Sequence, residues 1–228
     1  MSIRAIGASQ RLTPELILRA YALGIFPMAQ DRDDPVVHWV APTMRGVLPI
    51  DTFHVPRRLA RRIRSNTFTV CCDTAFERVI RACASPRSGR EETWINDAIL
   101  KGFTDLHGLG FAHSVEVWRD ADLVGGLYGV ALGAAFFGES MFSTATDASK
   151  VALVHLIARL RLGGFRLLDI QFITDHLRQF GALEIPAPRY LDFLGDAVAR
   201  PAAFPADDSA QLPAALDEVL TQSSTQMS

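Results

Sequence analysis

The 228-residue chain is predicted to fold as an α+β protein with one central sheet and a small N-terminal unit. Short apolar runs of strand length follow one another in the middle of the chain, and helix-length amphipathic segments lie on both sides of them. Hydrophobic residues make up 49% and charged residues 21%, which is typical of a globular domain and excludes a disordered or fibrous chain.

The first elements are expected to be a helix and two short strands. Thr13 can cap the helix, Pro14 fits its first position, and Gly24 can end it. The segment IFPMAQ and the polar DRDDP after it are expected to form a loop. VVHWVAP and MRGVLPI are strand candidates, the second of them bounded by prolines.

The middle of the chain alternates between helix and strand patterns. VPRRLARRIR places Leu59 and Ile63 on one helical face, FTVCCD alternates as a strand, and TAFERVIRACAS again has helical spacing. A charged loop, PRSGREE, precedes a helix that is expected to run from Trp94 to Leu109. AHSVEVWRD, ADLVGGLYGV and AAFFGESMFS then predict a β-meander.

The last part of the folded chain contains a helix that opens at Asp147 and ends at two glycines, a buried strand in FRLLDIQFI, and a helix and strand stub in DHLRQFGALEI. The Ala-, Pro- and Ser-rich residues after about 200 predict a flexible tail beyond one weak helix. The expected division is therefore 1–46, 47–200 and 201–228.

The net charge of -2, from 23 basic and 25 acidic residues, argues by itself against a strongly basic nucleic-acid-binding protein. Residues 55–90, however, hold nine arginines and two acids, a net charge of +7. Arg57, Arg61 and Arg64 lie at i, i+4 and i+7 and share one helical face, which suits phosphate binding. The alternative is an ordinary solvated helix face.

Three cysteines, two of them adjacent and none in a CxxC motif, argue against a disulfide framework and a structural zinc site. The N-terminus lacks the apolar core of a signal peptide, and no segment approaches the roughly 18 apolar residues of a membrane-spanning helix. We therefore expect a soluble cytoplasmic protein with no membrane contact.

Polar residues embedded in apolar strands are the strongest candidates for chemistry. Glu139 lies in AAFFGESMFS, and Asp169 and Gln171 lie in RLLDIQFI, two positions apart and thus on one strand face. A buried carboxylate is costly unless it is paired, so an acceptor and an amide side by side can orient a nucleophile and help remove its proton. Alternatively, Asp169 pairs with an arginine or caps a loop.

Trp94 follows the charged loop, where it could stack on a nucleic-acid base or simply anchor the core.

His107 and His113 lack further ligands at metal spacing and are interpreted as structural. No Walker motif, GxSxG motif or GxGxxG motif after a strand occurs, which disfavours ATPase, hydrolase and dehydrogenase functions.

The chain resembles the leucyl/phenylalanyl-tRNA–protein transferases from about residue 12 to 195. The resemblance is carried, in family order, by LTPELILRAYALGIFP, HWVAP, ETWI, HGLGFAHSVEVW, LVGGLYGV, FFGESMFS, ASKVAL, LLDIQF and GALEIP. GESMFS together with AHSVEVW is specific enough to make a chance match improbable.

The resemblance implies transfer of Leu or Phe, with Met as a further candidate, from aminoacyl-tRNA to the α-amine of proteins that begin with Arg or Lys. Such transfer marks the protein for degradation by the N-degron route. The resemblance also implies an acetyltransferase-like (GNAT-type) C-terminal domain, a small family-specific N-terminal domain, and no metal, nucleotide cofactor or ATP, because the tRNA ester is already activated. We expect a monomer.

The resemblance also implies roles for individual residues. Asp169 and Gln171 match the pair proposed to assist attack by the amine, Glu139 matches the acid near the basic acceptor, and Trp94 matches the aromatic residue at the terminal adenosine. Arg57, Arg61 and Arg64 match basic positions that hold the tRNA 3′ arm. The aminoacyl pocket maps to Leu127, Met141, Leu153, Leu156, Leu160 and Leu168.

Three features depart from the family pattern. Met28 stands where the family usually has Trp, so one face of the adenosine site is either weaker or formed by Met28 itself. IGASQRLTP replaces a Gly-Gly-Asp-Leu turn before the first helix. Leu156 and Leu160 replace residues that are aromatic in some relatives, which would widen the pocket.

Two other functions are kept as alternatives. An acyl-CoA-dependent N-acyltransferase of the same fold would need a backbone cradle for pyrophosphate, which the sequence does not show. A non-catalytic RNA-binding protein would explain the basic helix, but it would leave the polar residues in the apolar strands unexplained.

Overall fold

A computed structural model describes residues 3–9, 12–86 and 92–225, so Arg87 and Arg90 of the basic window lie outside the described residues. The helices are α1 Pro14–Ala22, α2 Arg57–Arg64, α3 Phe76–Ala84, α4 Asp97–Gly108, α5 Ala148–Leu162, α6 Asp175–Arg178, α7 Ala187–Val198 and α8 Leu212–Thr225. The strands are β1 Ile3–Ser9, β2 Phe26–Ala29, β3 Val37–Pro42, β4 Met44–Val47, β5 Thr69–Cys72, β6 Ala112–Arg119, β7 Asp122–Leu132, β8 Ala135–Ser143, β9 Leu167–Gln171 and β10 Leu183–Pro186.

The strands form two sheets in the described part of the chain. The larger has the order β10-β4-β9-β8-β7-β6-β5, and the smaller has the order β1-β3-β2. Among the described strands of the large sheet, only β8 and β9 pair in parallel, and α5 is the crossover between them. This mixed sheet confirms the predicted α+β class, and β6, β7 and β8 confirm the predicted meander.

Helices cover both faces of the large sheet. The core on one face contains apolar side chains of α1, α3, α4 and α7, including Tyr21, Phe76 and Phe103. The core on the opposite face contains side chains of α2, α5 and α8, including Leu59, Leu153 and Val219. Among the helices of the described ranges, none combines the length and apolar character needed to cross a membrane.

The N-terminal unit shares a core with the large sheet. Side chains of β2 and β3, such as Phe26 and Val40, pack in the same cluster as α3 and α4. Strand β4 begins at Met44 and pairs with β9 and β10, so the chain enters the large sheet three residues before the expected boundary at 46/47.

The residues predicted to begin and end the first helix do so in the structure. The Thr13 side chain accepts a hydrogen bond from the backbone N–H of Leu16, and Pro14 takes the first helical position. Gly24 has φ +73°, a left-handed conformation that favours glycine, and an added Cβ would lie 2.9 Å from a methyl carbon of Leu191.

Four elements differ from the sequence expectation. FPMA, expected as loop, forms β2 because it pairs with β3. The helix after the charged loop begins at Asp97 rather than Trp94, since Asn96 caps the backbone N–H of Ile99. The expected helix in DHLRQFGALEI is only the four residues of α6, and APRYLDFLGDAV forms α7, which the sequence reading did not include.

The expectation of a flexible tail after residue 200 is corrected by the packing of α8. Ala215, Val219 and Leu220 are buried against the α5 face of the sheet. The preceding loop is also fixed, because the nearly inaccessible guanidinium of Arg159 donates to the carbonyl oxygen of Pro205 and forms an ion pair with Asp207. Ala- and Pro-rich composition did not reveal these tertiary contacts.

Candidate active site in the gap between two parallel strands

A cavity of about 490 Å³ lies where β8 and β9 stop pairing. The two strands are paired from Ala135 and Leu167 to Phe137 and Asp169. Beyond these pairs, β8 continues along β7 while the end of β9 pairs with β4. Residues of both unpaired ends, such as Glu139 and Gln171, line the cavity.

The apolar part of the cavity contains most of the residues expected to form the aminoacyl pocket. The lining residues from that set are Leu127, Met141, Leu153, Leu156 and Leu168. Leu160 is fully buried and does not line the cavity, which corrects its expected position. Leu153 and Leu156 reach the cavity from one face of α5, whereas Leu160 lies a further turn along that helix.

The cavity connects the two faces of the large sheet. Trp94 and Phe172, at one side of the cavity, pack against the α3 and α4 core. Leu153 and Leu156, at the other side, belong to the α5 core. A long ligand can therefore place one end on each face and its centre in the gap, beside the polar residues.

Glu139 and Gln171 form a hydrogen-bonded pair on the wall of the cavity. The amide Nε2 of Gln171 donates to Oε1 of Glu139 over 3.3 Å, and the hydroxyl of Tyr21 donates to the same oxygen over 2.6 Å. Tyr21 is completely buried in α1, and burial followed by the charge of Glu139 raises its pKa above the ordinary value. The sequence reading missed this contact.

The protonation of Glu139 is unusual for a carboxyl group. Burial raises its pKa from 4.5 to about 8, the hydrogen bond from Tyr21 acts in the opposite direction, and the charge of Asp169 adds to the increase. The exposed fraction of the residue is intermediate because it faces the cavity. Glu139 can therefore change charge near neutral pH when a cationic ligand arrives.

Gln171 owes its position to an unusual backbone conformation at the end of β9. Its φ of +53° is left-handed, which is uncommon for a residue other than glycine. The paired residue on β4 is Gly46, where an added Cβ would lie 2.9 Å from the carbonyl carbon of Phe172. Only a glycine leaves room for this turn of β9.

Asp169 lies behind the cavity rather than in it, although strand alternation predicts that it shares a face with Gln171. The left-handed turn at Gln171 breaks that alternation. Asp169 is fully buried, and Oδ1 accepts a 2.8 Å hydrogen bond from the backbone N–H of Gln171. Asp169 therefore fixes the backbone of Gln171.

The carboxylate of Asp169 is held by two further residues. Arg45 donates through Nε to Oδ1 over 2.9 Å and through Nη2 to Oδ2 over 2.5 Å. The hydroxyl of Tyr190 donates to Oδ2 over 2.6 Å. This arrangement is the arginine pairing that the sequence predicts as the alternative role of Asp169.

Arg45 connects the N-terminal unit to the site. Its Nη1 donates to the carbonyl oxygen of Gly24 over 2.9 Å, and its guanidinium carbon lies 4.6 Å from the ring centre of Phe26 and 4.7 Å from that of Tyr190. Burial lowers the pKa of Arg45, but the charge of Asp169, its hydrogen bonds and the nearby tyrosines together outweigh burial and raise it.

Trp94 and Met28 lie together beside the polar pair. With Glu139 and Gln171 they line a second, smaller cavity of about 60 Å³ next to the first. The backbone N–H of Ala29 in β2 donates to the carbonyl oxygen of Trp94 over 3.2 Å, which ties the Trp94 loop to the N-terminal unit. Trp94 is half-buried and lines both cavities.

The expected arginine face is exposed but lies away from the cavity. Arg57, Arg61 and Arg64 are exposed on α2, and Arg64 lies 4.0 Å from Asp217 of α8. The described arginines of the basic window do not form one patch, because α2 covers the α5 face of the sheet while α3, with Arg78 and Arg81, covers the other. Arg81 is also paired locally, with Glu77.

The two histidines interpreted as structural have ordinary partners. Nδ1 of His113 lies 2.7 Å from Oδ2 of Asp73, and its ring stacks on Phe204. Nδ1 of His107 lies 2.8 Å from the carbonyl oxygen of Ala112. In the ranges that the structure describes, no group of three His, Cys, Asp or Glu side chains is arranged to bind a metal.

Sequence reasoning missed Tyr21, Arg45 and Tyr190 as members of the site. An arginine within the apolar strand segment MRGVLPI was a usable signal for Arg45, by the same reasoning that selected Asp169. Tyr21 and Tyr190 gave no such signal, because a tyrosine on the apolar face of a helix is usual in a protein core.

Comparison with known proteins gives matches over nearly the whole chain. A sequence model of the family described as leucyl/phenylalanyl-tRNA protein transferase matches residues 47–195, and the model of that family's N-terminal domain matches residues 10–43. The chain is 62% identical over 193 residues to a leucyl/phenylalanyl-tRNA–protein transferase of Paramagnetospirillum magneticum, covering 85% of this chain and 92% of that protein.

A second relative gives the same result. The chain is 64% identical over 183 residues to the protein of the same description from Nitrobacter winogradskyi, covering 80% of this chain and 81% of that protein. Among solved structures, the structure of L-PGS from Bacillus licheniformis is a distant likeness, with a TM-score of 0.45 and 9% identity over 69% of this chain and 65% of that chain.

Proposed function

Because this chain belongs to the leucyl/phenylalanyl-tRNA–protein transferase family, we propose that the cavity between β8 and β9 brings its two substrates together. The enzyme is an aminoacyltransferase that moves Leu or Phe from aminoacyl-tRNA to the N-terminal α-amine of proteins that begin with Arg or Lys. Its products are thereby marked for degradation by the N-degron route. Met is proposed as a further donor.

One observation supports this assignment most directly. An apolar pocket made by Leu153, Leu156 and Leu168 opens, within the same cavity, onto the polar pair Glu139 and Gln171. The pocket suits an aliphatic or aromatic side chain, and the polar pair suits the amine that must react with its ester.

The reaction exchanges an ester for an amide. The lone pair of the neutral acceptor amine forms a bond to the ester carbonyl carbon, and the bond from that carbon to the tRNA 3′-terminal oxygen breaks. One proton leaves the amine, and one proton ends on the departing ribose oxygen, so no external oxidant or energy source is needed. Positioning the two reactants supplies much of the acceleration, because the ester is already reactive.

Three residues have separate roles in this proposal. The side-chain oxygen of Gln171 accepts a hydrogen bond from the attacking amine, and Glu139 complements the positive charge of the acceptor. Asp169 is a positioning residue, since it holds the backbone N–H of Gln171 from behind the cavity wall. Protonated Glu139 would release its proton when the cationic acceptor binds.

The tRNA is proposed to approach from the Trp94 side. Trp94 would stack on the terminal adenosine, and Met28, which lines the small cavity with it, would cover the other face in place of the family's tryptophan. Arg57, Arg61 and Arg64 would then bind phosphates of the tRNA arm along α2, at a distance from the reacting ester.

Several broader properties remain proposals of the family resemblance. They are a GNAT-type fold for residues 47–200 with a separate small domain at 1–46, reaction without metal or nucleotide cofactor, a monomeric state, and action in the cytoplasm. An acyl-CoA-dependent acyltransferase and a non-catalytic RNA-binding protein are the alternatives that the test should exclude.

The test is a transfer assay with the purified full-length chain. Labelled Leu-tRNA, Phe-tRNA and acetyl-CoA are each incubated with a peptide that begins with Arg and with a matched peptide that begins with Glu. We expect label from both tRNAs in the Arg peptide and none in the Glu peptide. Label from acetyl-CoA would favour the first alternative, and tRNA binding without any transfer would favour the second.

A further inference from the structure

Tyr21 connects the N-terminal unit to the acidic residue of the site. It lies in α1, within the residues that match the model of the family's N-terminal domain, whereas Glu139 lies on β8 of the large sheet. The hydroxyl of Tyr21 donates to Oε1 of Glu139 over 2.6 Å, a contact between residues 118 positions apart in the chain. The N-terminal unit therefore contributes directly to the surroundings of this carboxyl group.

The two oxygens of the Glu139 carboxyl group have different surroundings. Oε1 accepts hydrogen bonds from both the hydroxyl of Tyr21 and the amide Nε2 of Gln171. Oε2 accepts none from the residues that the structure describes, and it is not among their fully inaccessible unpaired atoms. Since Glu139 lines both cavities, Oε2 is the oxygen that a ligand can reach.

The position of the Tyr21 hydroxyl is fixed by packing. The residue is fully buried, and its ring packs at 60° to that of Phe137 with the ring centres 4.6 Å apart. Burial, followed by the charge of Glu139, raises the pKa of Tyr21 well above its ordinary value of 10.0. The phenol therefore stays protonated in the neutral range and is a constant hydrogen-bond donor.

The ionisation of Glu139 depends on groups from four elements. Burial raises its pKa to about 8, and the hydrogen bond from Tyr21 of α1 lowers it. The charge of Asp169 on β9 raises this pKa, and the charge of Arg45 on β4 lowers it. His176 on α6 lines the same large cavity, but burial lowers its pKa below 6.5, so it is neutral where Glu139 titrates. Of these titratable groups, Tyr21 is the one that donates to the carboxyl group directly.

We propose that Tyr21 is a positioning residue for acceptor binding, which holds Glu139 through Oε1 and leaves Oε2 to the cationic acceptor. The inference rests on the proposed function, because it needs the acceptor to bind beside Glu139. Two donors on Oε1 place the proton of the neutral carboxyl group on Oε2. When the positive charge arrives, this proton passes to solvent and Oε2 faces the acceptor as part of a carboxylate.

The test compares Tyr21→Phe, which removes the hydroxyl and keeps the ring, with the control Glu15→Gln. Glu15 is on the same helix, but it is exposed and lines neither cavity. KM for an Arg-initiated peptide and KM for Phe-tRNA are measured for the wild-type chain and both variants, over a pH series on both sides of 8.

We expect Tyr21→Phe to change acceptor binding alone. KM for the peptide at neutral pH should rise by about tenfold, because a hydrogen bond to a charged group is lost. The pH at which this KM decreases should move up by about one unit, since the carboxylate is less stabilised. KM for Phe-tRNA, and both KM values of the control, should stay at the wild-type level.

A second variant gives a shift in the opposite direction. Placing 3-fluorotyrosine at position 21 keeps the ring and the hydroxyl but makes the phenol a stronger donor. A stronger hydrogen bond favours the charged carboxyl group, so the decrease in peptide KM should move to lower pH. This variant decides the question even where Tyr21→Phe does not fold, because an unchanged pH dependence would then overturn the inference.

A double variant separates this role from a structural one. If Tyr21 acts through the charge of Glu139, adding Tyr21→Phe to Glu139→Gln should change the peptide KM by less than about twofold. An unchanged peptide KM in Tyr21→Phe alone would overturn the inference, and so would an equal rise in both KM values. The proposed function would stand in both cases. Absence of Leu and Phe transfer by the wild-type enzyme would instead contradict the proposed function itself.

Discussion

The guanidinium of Arg45 and the carboxylate of Asp169 form a buried ion pair with two contacts, Nε to Oδ1 at 2.9 Å and Nη2 to Oδ2 at 2.5 Å, and neither side chain is more than 1% exposed. The pair joins β4 to the strand that carries Gln171. Burying two charges costs free energy, and burying one charge without its partner costs more. Loss of either residue should therefore disturb both the site and the fold.

Removing one partner of this pair should unfold the protein rather than only inactivate it. Asp169→Asn leaves the buried cation of Arg45 without a counter-ion, which should lower the free energy of unfolding by about 3–5 kcal/mol. Denaturant unfolding of the variant measures this loss. Gln171→Ala is the matched comparison, and it should lose about 1 kcal/mol at most while transfer falls strongly.

The double variant Arg45→Met with Asp169→Leu sharpens the same test. Since it removes both charges together, it should be less destabilised than the sum of the two single variants. A stable Asp169→Asn protein would contradict the predicted cost of leaving the buried Arg45 without its partner.

Glu139 should make stability fall with rising pH. Its pKa in the folded protein is about 8, against an ordinary value of 4.5, so between these values the folded chain holds more protons than the unfolded chain. The stabilising contribution is complete below about pH 4.5 and is lost as the pH rises through 8. Unfolding curves at pH 5 and pH 8.5 should differ less for Glu139→Gln than for the wild-type chain.

The same substitution should weaken the acceptor site. Glu139→Gln retains the shape but cannot become negative, so KM for an Arg-initiated peptide should rise by about tenfold or more. With the wild-type enzyme, this KM should decrease as the pH approaches 8, and with the variant it should not. Equal pH profiles of KM would exclude a charge interaction with the acceptor.

The α2 arginines should contribute salt-dependent affinity for tRNA. Replacing Arg57, Arg61 and Arg64 by Gln removes up to three phosphate contacts, which should make the slope of log affinity against log salt less steep by about 2. Filter binding of aminoacyl-tRNA over a salt series measures the slope. Arg166, Arg189 and Arg200, which are exposed away from α2, form a matched control set.

An unchanged salt slope in the α2 triple variant would mean that this helix face is only solvated. A control set that flattens the slope as much as the α2 set would show that tRNA binding depends on total charge, not on α2.

The packing of the C-terminal helix α8 should contribute measurably to stability. Leu220 is 4% exposed, so Leu220→Ala should lower the free energy of unfolding by about 2–5 kcal/mol. Glu218→Ala, in the same helix but exposed, should have an effect below about 0.5 kcal/mol. Equal and small changes in the free energy of unfolding for the two variants would mean that the residues after 200 form a flexible tail.

Much of the site could be predicted from the sequence because it depends on polar residues in apolar strands. Glu139 and Gln171 were selected on that basis, and both line the cavity. Asp169 was selected by the same reasoning, but the sequence could not predict that it lies behind the cavity wall. That position depends on the left-handed backbone at Gln171, which in turn depends on the close approach of Gly46.

The apolar pocket shows the same limit. Helical spacing places Leu153, Leu156 and Leu160 on one side of α5, but only the first two line the cavity. The separation of β8 from β9 decides where that helix face meets open space, and no pattern within α5 encodes it.

The sequence by itself determined the fold class, the family, and the chemistry of the residues that face the gap. These depend on local periodicity and on residue types, which are properties of short segments. Tertiary structure alone decided that Arg45, Tyr190 and Gly24 complete the surroundings of Asp169, that the basic helices α2 and α3 lie on opposite faces of the sheet, and that α8 packs on α5. These contacts join residues that are far apart in the chain. They form because a buried charge needs a partner and apolar surface is buried against other apolar surface, whatever the distance along the sequence.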